Sequence, residues 1–305
     1  MRNEILVGSR GSGLALAQAN EVVKALRELT HQHRYRVVSI KTTGDKLSES
    51  REGVFDGKGV FTKEIEERLL KGEIQVAVHS MKDLAADLPL GLTVAAVPRR
   101  ADHRDALISR NKGNLDRLPG GATIGTSSPR RRTQLLATRS DLRILEMHGN
   151  VESRLRKLEG GNYDGIVVAA AGLVRLGLEK RITEILSTKI MLPAIGQGAI
   201  AVETREDDIE TVELVSRLDD QSTRRAVEAE RAFARKLGAN CRTPVAAYAR
   251  VEDSGLAIDG MVASPDGRKL LRSQLVSTNP RPESVGEELA ESLLGKGAQF
   301  ILEAV

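Results

Sequence analysis

Tryptophan is absent from this chain, aromatic residues make up only 2% of it, and cysteine occurs once, at Cys241. One cysteine excludes an internal disulfide, which suits a reducing cytosol and is equally what a single reactive thiol looks like. The scarcity of aromatics removes the stacking platform on which single-strand nucleic-acid binders rely. No apolar run approaches the roughly 20 residues of a membrane span. The first residues pass from Met1-Arg2-Asn3-Glu4 into only Ile5-Leu6-Val7, far short of the roughly 7 to 15 apolar residues of a secretion signal. A cytoplasmic protein is therefore expected, with no membrane and no nucleic acid among its partners. Five scattered histidines beside one cysteine offer no metal-ligand spacing.

Charge and arginine are what the chain has in quantity. Charged residues are 29% of the 305, and the cations divide into 32 Arg and 14 Lys. From Arg99 to Arg156, twelve Arg and one Lys stand against six acids, whereas the rest of the chain is slightly acidic. Arginine suits planar, two-pronged recognition of anions, so small polyanions are the expected ligands. Taken singly, an arginine is more often a solvated helix-face residue, and only placement raises it above that.

The length accommodates two or three domains, each with its own core, and two stretches share a layout. Lys63 to Ser80 and Glu152 to Ala170 each read as amphipathic helix, glycine break and buried strand. Upstream of them, Glu4 to Arg10 and Ala122 to Ser128 each read as a strand entering Gly/Ser-rich residues and then a helix, starting near Leu14 and Pro129. Alternating strands and helices predict an α/β fold with largely parallel sheets, arranged as two lobes around a cleft. Met191 to Val202 has the Pro and Gly of a crossover, followed by a return strand into the first lobe. The last third predicts an antiparallel meander, Val245 to Glu252, Leu256 to Ser264 and Arg268 to Ser277, covered by a helix from about Pro282 to Leu294. The expected domains are 1–98 with 194–217, then 99–193, then a small α+β domain at 218–305.

Several residues can carry chemistry. Gly8-Ser9-Arg10-Gly11-Ser12-Gly13 opens a helix but has the wrong order for a dinucleotide fingerprint, and Gly57-Lys58-Gly59 fails as a P-loop. What remains is Ser and Arg at a helix N-terminus, mirrored by Thr126-Ser127-Ser128-Pro129-Arg130-Arg131; each alone reads as well as a plain capped helix start, and their recurrence favours anion binding. Asp83 follows a buried strand at the sheet edge where ligands settle, a candidate acid or base that is, singly, more often a helix cap. His79 reads as structural. Cys241 lies past a helix that stops at Gly238, which favours a loop thiol over buried filler.

Taken together, VHSMKD at Val78 to Asp83, GTSSPRR at Gly125 to Arg131, LPAIGQG at Leu192 to Gly198 and GANC at Gly238 to Cys241 resemble the hydroxymethylbilane synthases, also called porphobilinogen deaminases. The likeness extends from GSRGSGLALAQ through TTGDK and GKGVFTKE and covers most of the chain in family order. It implies two lobes like those of periplasmic binding proteins plus the small C-terminal domain. It also implies a transferase of tetrapyrrole (haem) biosynthesis that condenses four porphobilinogen molecules, with loss of ammonia, on a dipyrromethane cofactor held as a thioether by Cys241. By the same resemblance Asp83 faces the pyrrole nitrogens as proton shuttle and stabilises the cationic azafulvene. Lys82, Thr126, Ser127, Ser128, Arg130, Arg131 and Arg175 hold cofactor carboxylates, and Arg10, Ser12, Gln18, His148 and Arg154 hold the incoming ring. The family implies a monomer whose product passes to uroporphyrinogen-III synthase. The stretch from Lys46 to Phe61 looks like a mobile lid. His148 stands where the family usually has Arg, and a neutral imidazole cannot form the two-pronged ion pair; Ala85 and Pro129 replace a frequent Pro and Leu as local backbone variants. The alternative from another class is a two-lobed non-enzymatic anion-binding protein, from which a covalent anchor at Cys241 discriminates.

Overall fold

In Glu4–Arg10 the side chains of Ile5 and Val7 face inward, and this segment forms β1, an interior strand of the first of three sheets. In the computed structural model the described residues are 3–45, 59–85, 87–240 and 243–303. Cys241 and most of the expected lid lie outside them. The chain divides into two compact units, Met1–Ala101 with Ala199–Arg224, and Asp102–Gly198 with Arg225–Val305.

The first unit holds a five-stranded sheet of β1, β2 (Arg34–Ile40), β3 (Val76–Ser80), β4 (Leu92–Ala96) and β10 (Ile200–Arg205), in the order β2-β1-β3-β10-β4. Only β10 runs against the others. Helix Gly13–Leu29 starts where the Ser12 hydroxyl accepts the Ala15 N–H and buries Gln18, Ala19, Val22, Val23 and Leu26 on one stripe. Burying Val22, Val23 and Leu26 contributes roughly 1.5–3 kcal/mol each. Helix Lys63–Leu70 covers the opposite face, packing Ile65 and Leu69 against Ile40, Ile74 and Ala77.

The second unit repeats the plan. Its sheet of β5 (Asp105–Ser109), β6 (Thr123–Gly125), β7 (Arg143–Leu145), β8 (Gly165–Ala169) and β9 (Glu184–Ile185) has the order β7-β6-β8-β5-β9, with β5 alone reversed. The odd strand is in each case the one by which the chain enters: β5 after leaving the first sheet, β10 after leaving the second. "Largely parallel" thus holds for four strands of five. The same unit carries an antiparallel sheet of β11 (Val245–Glu252), β12 (Gly255–Ala263) and β13 (Leu270–Ser277). Helices Gln221–Lys236 and Pro282–Gly295 cover it. Glycine is required where those helices meet, since a Cβ on Gly286 would stand 2.0 Å from the Ala229 carbonyl oxygen.

Candidate active site

In the first unit the loops after β1 and β3 meet at one pocket, lined by Arg10, Ser12, Gln18, Phe61, His79, Ser80 and Asp83 among others. Arg10 lies at the end of β1, and its guanidinium is oriented from two sides. Nε and Nη2 donate to Asp45 Oδ1 at 3.1 and 2.6 Å, and the Phe61 ring stacks beneath at 4.1 Å. Nη1 reaches to within 4.0 Å of Asp83 Oδ2. Burial pushes the Asp45 carboxyl up, but the Arg10 contacts and the Thr42 N–H and hydroxyl outweigh it and hold it below the usual carboxylate range. Gln18 and Ser80 exchange hydrogen bonds, Nε2 to Oγ at 2.9 Å and Oγ to Oε1 at 3.0 Å. Asp83 ends a single 3-10 turn, Met81–Asp83, tied to β10 by the Met81 N–H on the Ala199 carbonyl. Asp83 and Lys82 are both exposed in this turn, the Asp83 side chain at 34%. His79 is buried against Glu203, Nε2 to Oε2 at 3.0 Å.

The second unit gathers the other expected residues around the start of helix Pro129–Thr138. Three hydroxyls there accept backbone N–H groups: Thr126 from Ser128 at 3.2 Å, Ser127 from Met147 at 2.9 Å, Ser128 from Arg131 at 3.4 Å. A hydroxyl that accepts still has its own proton to donate, so the turn presents O–H groups to an anion beside a helix N-terminus. Arg130 and Arg131 are buried and engaged with fully buried Asp105. Arg130 Nη1 lies 2.7 Å from Oδ2, and Arg131 Nη2 and Nε lie 2.6 and 3.0 Å from Oδ1. Burial alone would raise the Asp105 carboxyl, and the two guanidiniums override it, holding it far below the ordinary range. The Leu192 and Val167 carbonyls take further N–H groups of the pair.

Arg154 donates Nε to the Gly149 carbonyl at 2.8 Å and pairs with no carboxylate among the described residues. Burial and the neighbouring Arg131 charge lower it to about 10. Three guanidiniums with one carboxylate and a row of hydroxyl donors fit a ligand bearing several carboxylates, so the residues suit the dipyrromethane group. Arg175, at the end of helix Ala170–Arg175, donates to the Gly198 carbonyl at 3.3 Å. His148 is partly exposed beside Glu146, Nε2 to Oε2 at 3.3 Å.

Sequence reasoning missed Asp105, Asp45, Phe61 and Glu203. Asp45 stands within the quoted TTGDK and was available to it; Asp105 and Glu203 carry no local signal, since their partners lie 25, 26 and 124 residues away. Among the described residues no group of His, Cys, Asp and Glu can hold a metal ion, and no helix is long and apolar enough to cross a membrane.

The family model described as porphobilinogen deaminase, dipyrromethane cofactor binding domain, matches residues 5–213, and the porphobilinogen deaminase C-terminal domain matches 224–295. A porphobilinogen deaminase of Pelotomaculum thermopropionicum is 48% identical over 99% of this chain and 97% of its own, and one of a Geobacillus species is 47% identical over the same shares. Among solved structures, a methionine binding protein aligns at 17% identity over 71% of this chain and 89% of its own, with a TM-score of 0.43, a likeness that carries no functional argument. With both domain models matched in order and near-half identity along the whole length, the chain belongs to the porphobilinogen deaminase family.

Proposed function

We propose that this chain is a hydroxymethylbilane synthase, a transferase that joins four porphobilinogen molecules head to tail on a dipyrromethane bound through Cys241 and releases hydroxymethylbilane by hydrolysis. The observation that carries the reading is the Arg10–Asp83 pocket in a chain of this family. In each addition the aminomethyl carbon loses ammonia, which departs with the C–N electron pair, and bonds to a pyrrole carbon that gives up its proton. The dipyrromethane, when bound, supplies the first pyrrole carbon to be extended.

Asp83 is the proton carrier: its carboxylate accepts the proton shed by the pyrrole carbon, delivers one to the departing amine and offsets the positive charge that develops between the two events. Arg10, fixed by Asp45 through Nε and Nη2, turns Nη1 toward Asp83 at 4.0 Å, and a substrate carboxylate entering the pocket would share it. Gln18 and Ser80 hold each other in position, and Ser12 stands at the helix start for the incoming ring. In the second unit Thr126, Ser127, Ser128 and Arg175 hold cofactor carboxylates, and Arg154 and His148 hold those of the incoming ring. Arg130 and Arg131 add positive field to that cofactor set from behind, and Lys82, in the first unit, is a further cofactor contact. The division into 1–98 with 194–217, 99–193 and 218–305 belongs to the same reading, supported by a separate core around Phe233. So do a cytoplasmic monomer and delivery of the product to uroporphyrinogen-III synthase.

Intact mass spectrometry of the protein and of Cys241→Ser tests it. An adduct the size of a dipyrromethane that disappears in the variant is expected; its absence after incubation with porphobilinogen would sink the reading in favour of an anion-binding protein.

A further inference from the structure

Behind the first-unit pocket lie three ionisable side chains to which the reaction has so far given no task. His79 and Glu203 meet across β3 and β10, with side-chain exposures of 3% and 0%. Glu203 is in register with Ala77, on the face that packs against Ile65 and Leu69 of helix Lys63–Leu70, and from that helix comes Glu66, 7% exposed. Alternation along β3 puts His79 on this face and Ser80 on the other, where Ser80 meets Gln18. The trio is thus sealed between sheet and helix, yet His79 also lines the pocket.

Two carboxylates and one imidazole cannot all be charged in such a place without leaving a buried negative charge uncompensated, which costs several kcal/mol. One carboxyl keeps its proton. Burial raises Glu66, and so does the Glu203 carboxylate, against the opposing pull of the Thr62 hydroxyl and of His79. Glu203 Oε2 by contrast lies 3.0 Å from His79 Nε2. Of the two carboxyls, Glu203 has the imidazole beside it, and Glu66 is the one that burial pushes up. The other charged groups of this region are Arg10 at the end of β1, already committed to Asp45 after β2, and Asp83 after β3.

We propose that Glu203 is a positioning residue of the transfer reaction, acting through His79 to fix the end of β3 at Ser80 and the turn after it that ends in Asp83, and to keep a buried negative charge behind the pocket, while Glu66 takes no part in the reaction. This deepens the transferase reading and rests on it. Positive charge develops on the substrate only as ammonia leaves, so the Glu203 charge acts on kcat more than on KM.

The test compares steady-state turnover of porphobilinogen by the purified holoenzyme and by Glu203→Gln, Glu66→Gln and His79→Gln, each with its adduct mass checked and its thermal midpoint measured. Glu203→Gln keeps shape and acceptor but loses charge, so kcat falls about tenfold while KM stays within about threefold. His79→Gln reproduces that loss, and Glu66→Gln stays within about twofold of the parent. A kcat for Glu203→Gln within twofold of the parent overturns the proposal, as does a Glu66→Gln loss as large as that of Glu203→Gln. Should Glu203→Gln not fold, the His79 and Glu66 variants decide: parental kcat in His79→Gln overturns it. A parent without turnover strikes instead at the transferase reading.

Discussion

The two five-stranded sheets share one plan, β2-β1-β3-β10-β4 and β7-β6-β8-β5-β9, yet their ligand loops have opposite electrostatics. At the end of β1 and before Gly13–Leu29 stand Arg10 and Ser12; at the matching place after β6 stand Ser127, Ser128, Arg130 and Arg131. After β3 comes a 3-10 turn ending in the acid Asp83, whereas after β8 comes a helix ending in Arg175. In the first unit one arginine is divided between two aspartates, Asp45 and Asp83. In the second, Asp105 is divided between two arginines, with a third, Arg154, nearby. The frame therefore delivers loops to the equivalent sheet edge in each unit, and a few side chains decide whether acids or arginines predominate there.

Removing the acid from the acidic half breaks the contrast most severely. Asp83→Ala is expected to lower kcat by roughly 10²–10⁴-fold with little change in KM, measured on porphobilinogen consumption with the adduct mass intact. Next comes the counter-ion of the cationic half. Asp105→Ala leaves Arg130 and Arg131 buried without their partner and is expected to destabilise by about 3–5 kcal/mol in urea titration. Its pH dependence has a definite sign. A carboxyl held below its unfolded value of about 3.8 contributes stability that is present above about pH 4 and lost as pH falls through the folded value. The acid limb of the stability curve should therefore flatten in the variant; an unchanged limb would mean that Asp105 does not govern it.

Gly286→Ala probes the C-terminal elements without touching either half. Its Cβ would meet the Ala229 carbonyl oxygen at 2.0 Å, so a loss of about 1–3 kcal/mol is expected with kcat unchanged, and a parental melting point would contradict the close approach. The smallest effect is expected at His148, where the cationic half lacks a permanent charge. His148→Arg should lower KM above pH 7 by about threefold, and a flat response would leave the position idle.

Much of this was legible in the residues. The 3.6-residue stripe of Gln18, Ala19, Val22, Val23 and Leu26, the proline opening Pro129–Thr138 and the Asp253-Ser254-Gly255 turn between β11 and β12 are local signals, set by a few neighbours along the chain. The directions of β5 and β10 were not legible, because a strand's own pattern of buried residues is the same whichever way it runs. Arg130 and Arg131 carried a signal that was incomplete: as arginines after a helix cap they marked an anion site, but their burial on Asp105 depends on a strand 25 and 26 residues away.

What the amino-acid sequence determined by itself is the set of elements, the repeat of the strand–helix plan and the family; Asp83 and Cys241 it offered as candidates to carry the chemistry. The tertiary structure alone decided which charges are spent inside the protein and which remain for a ligand. Arg10 is shared with Asp45, Arg130 and Arg131 are turned to Asp105, Arg154 has no carboxylate among the described residues, and Glu203 stands behind His79. The physical reason is that charge pairing in a protein interior acts over a few ångströms of space, and space brings together residues that the chain keeps far apart.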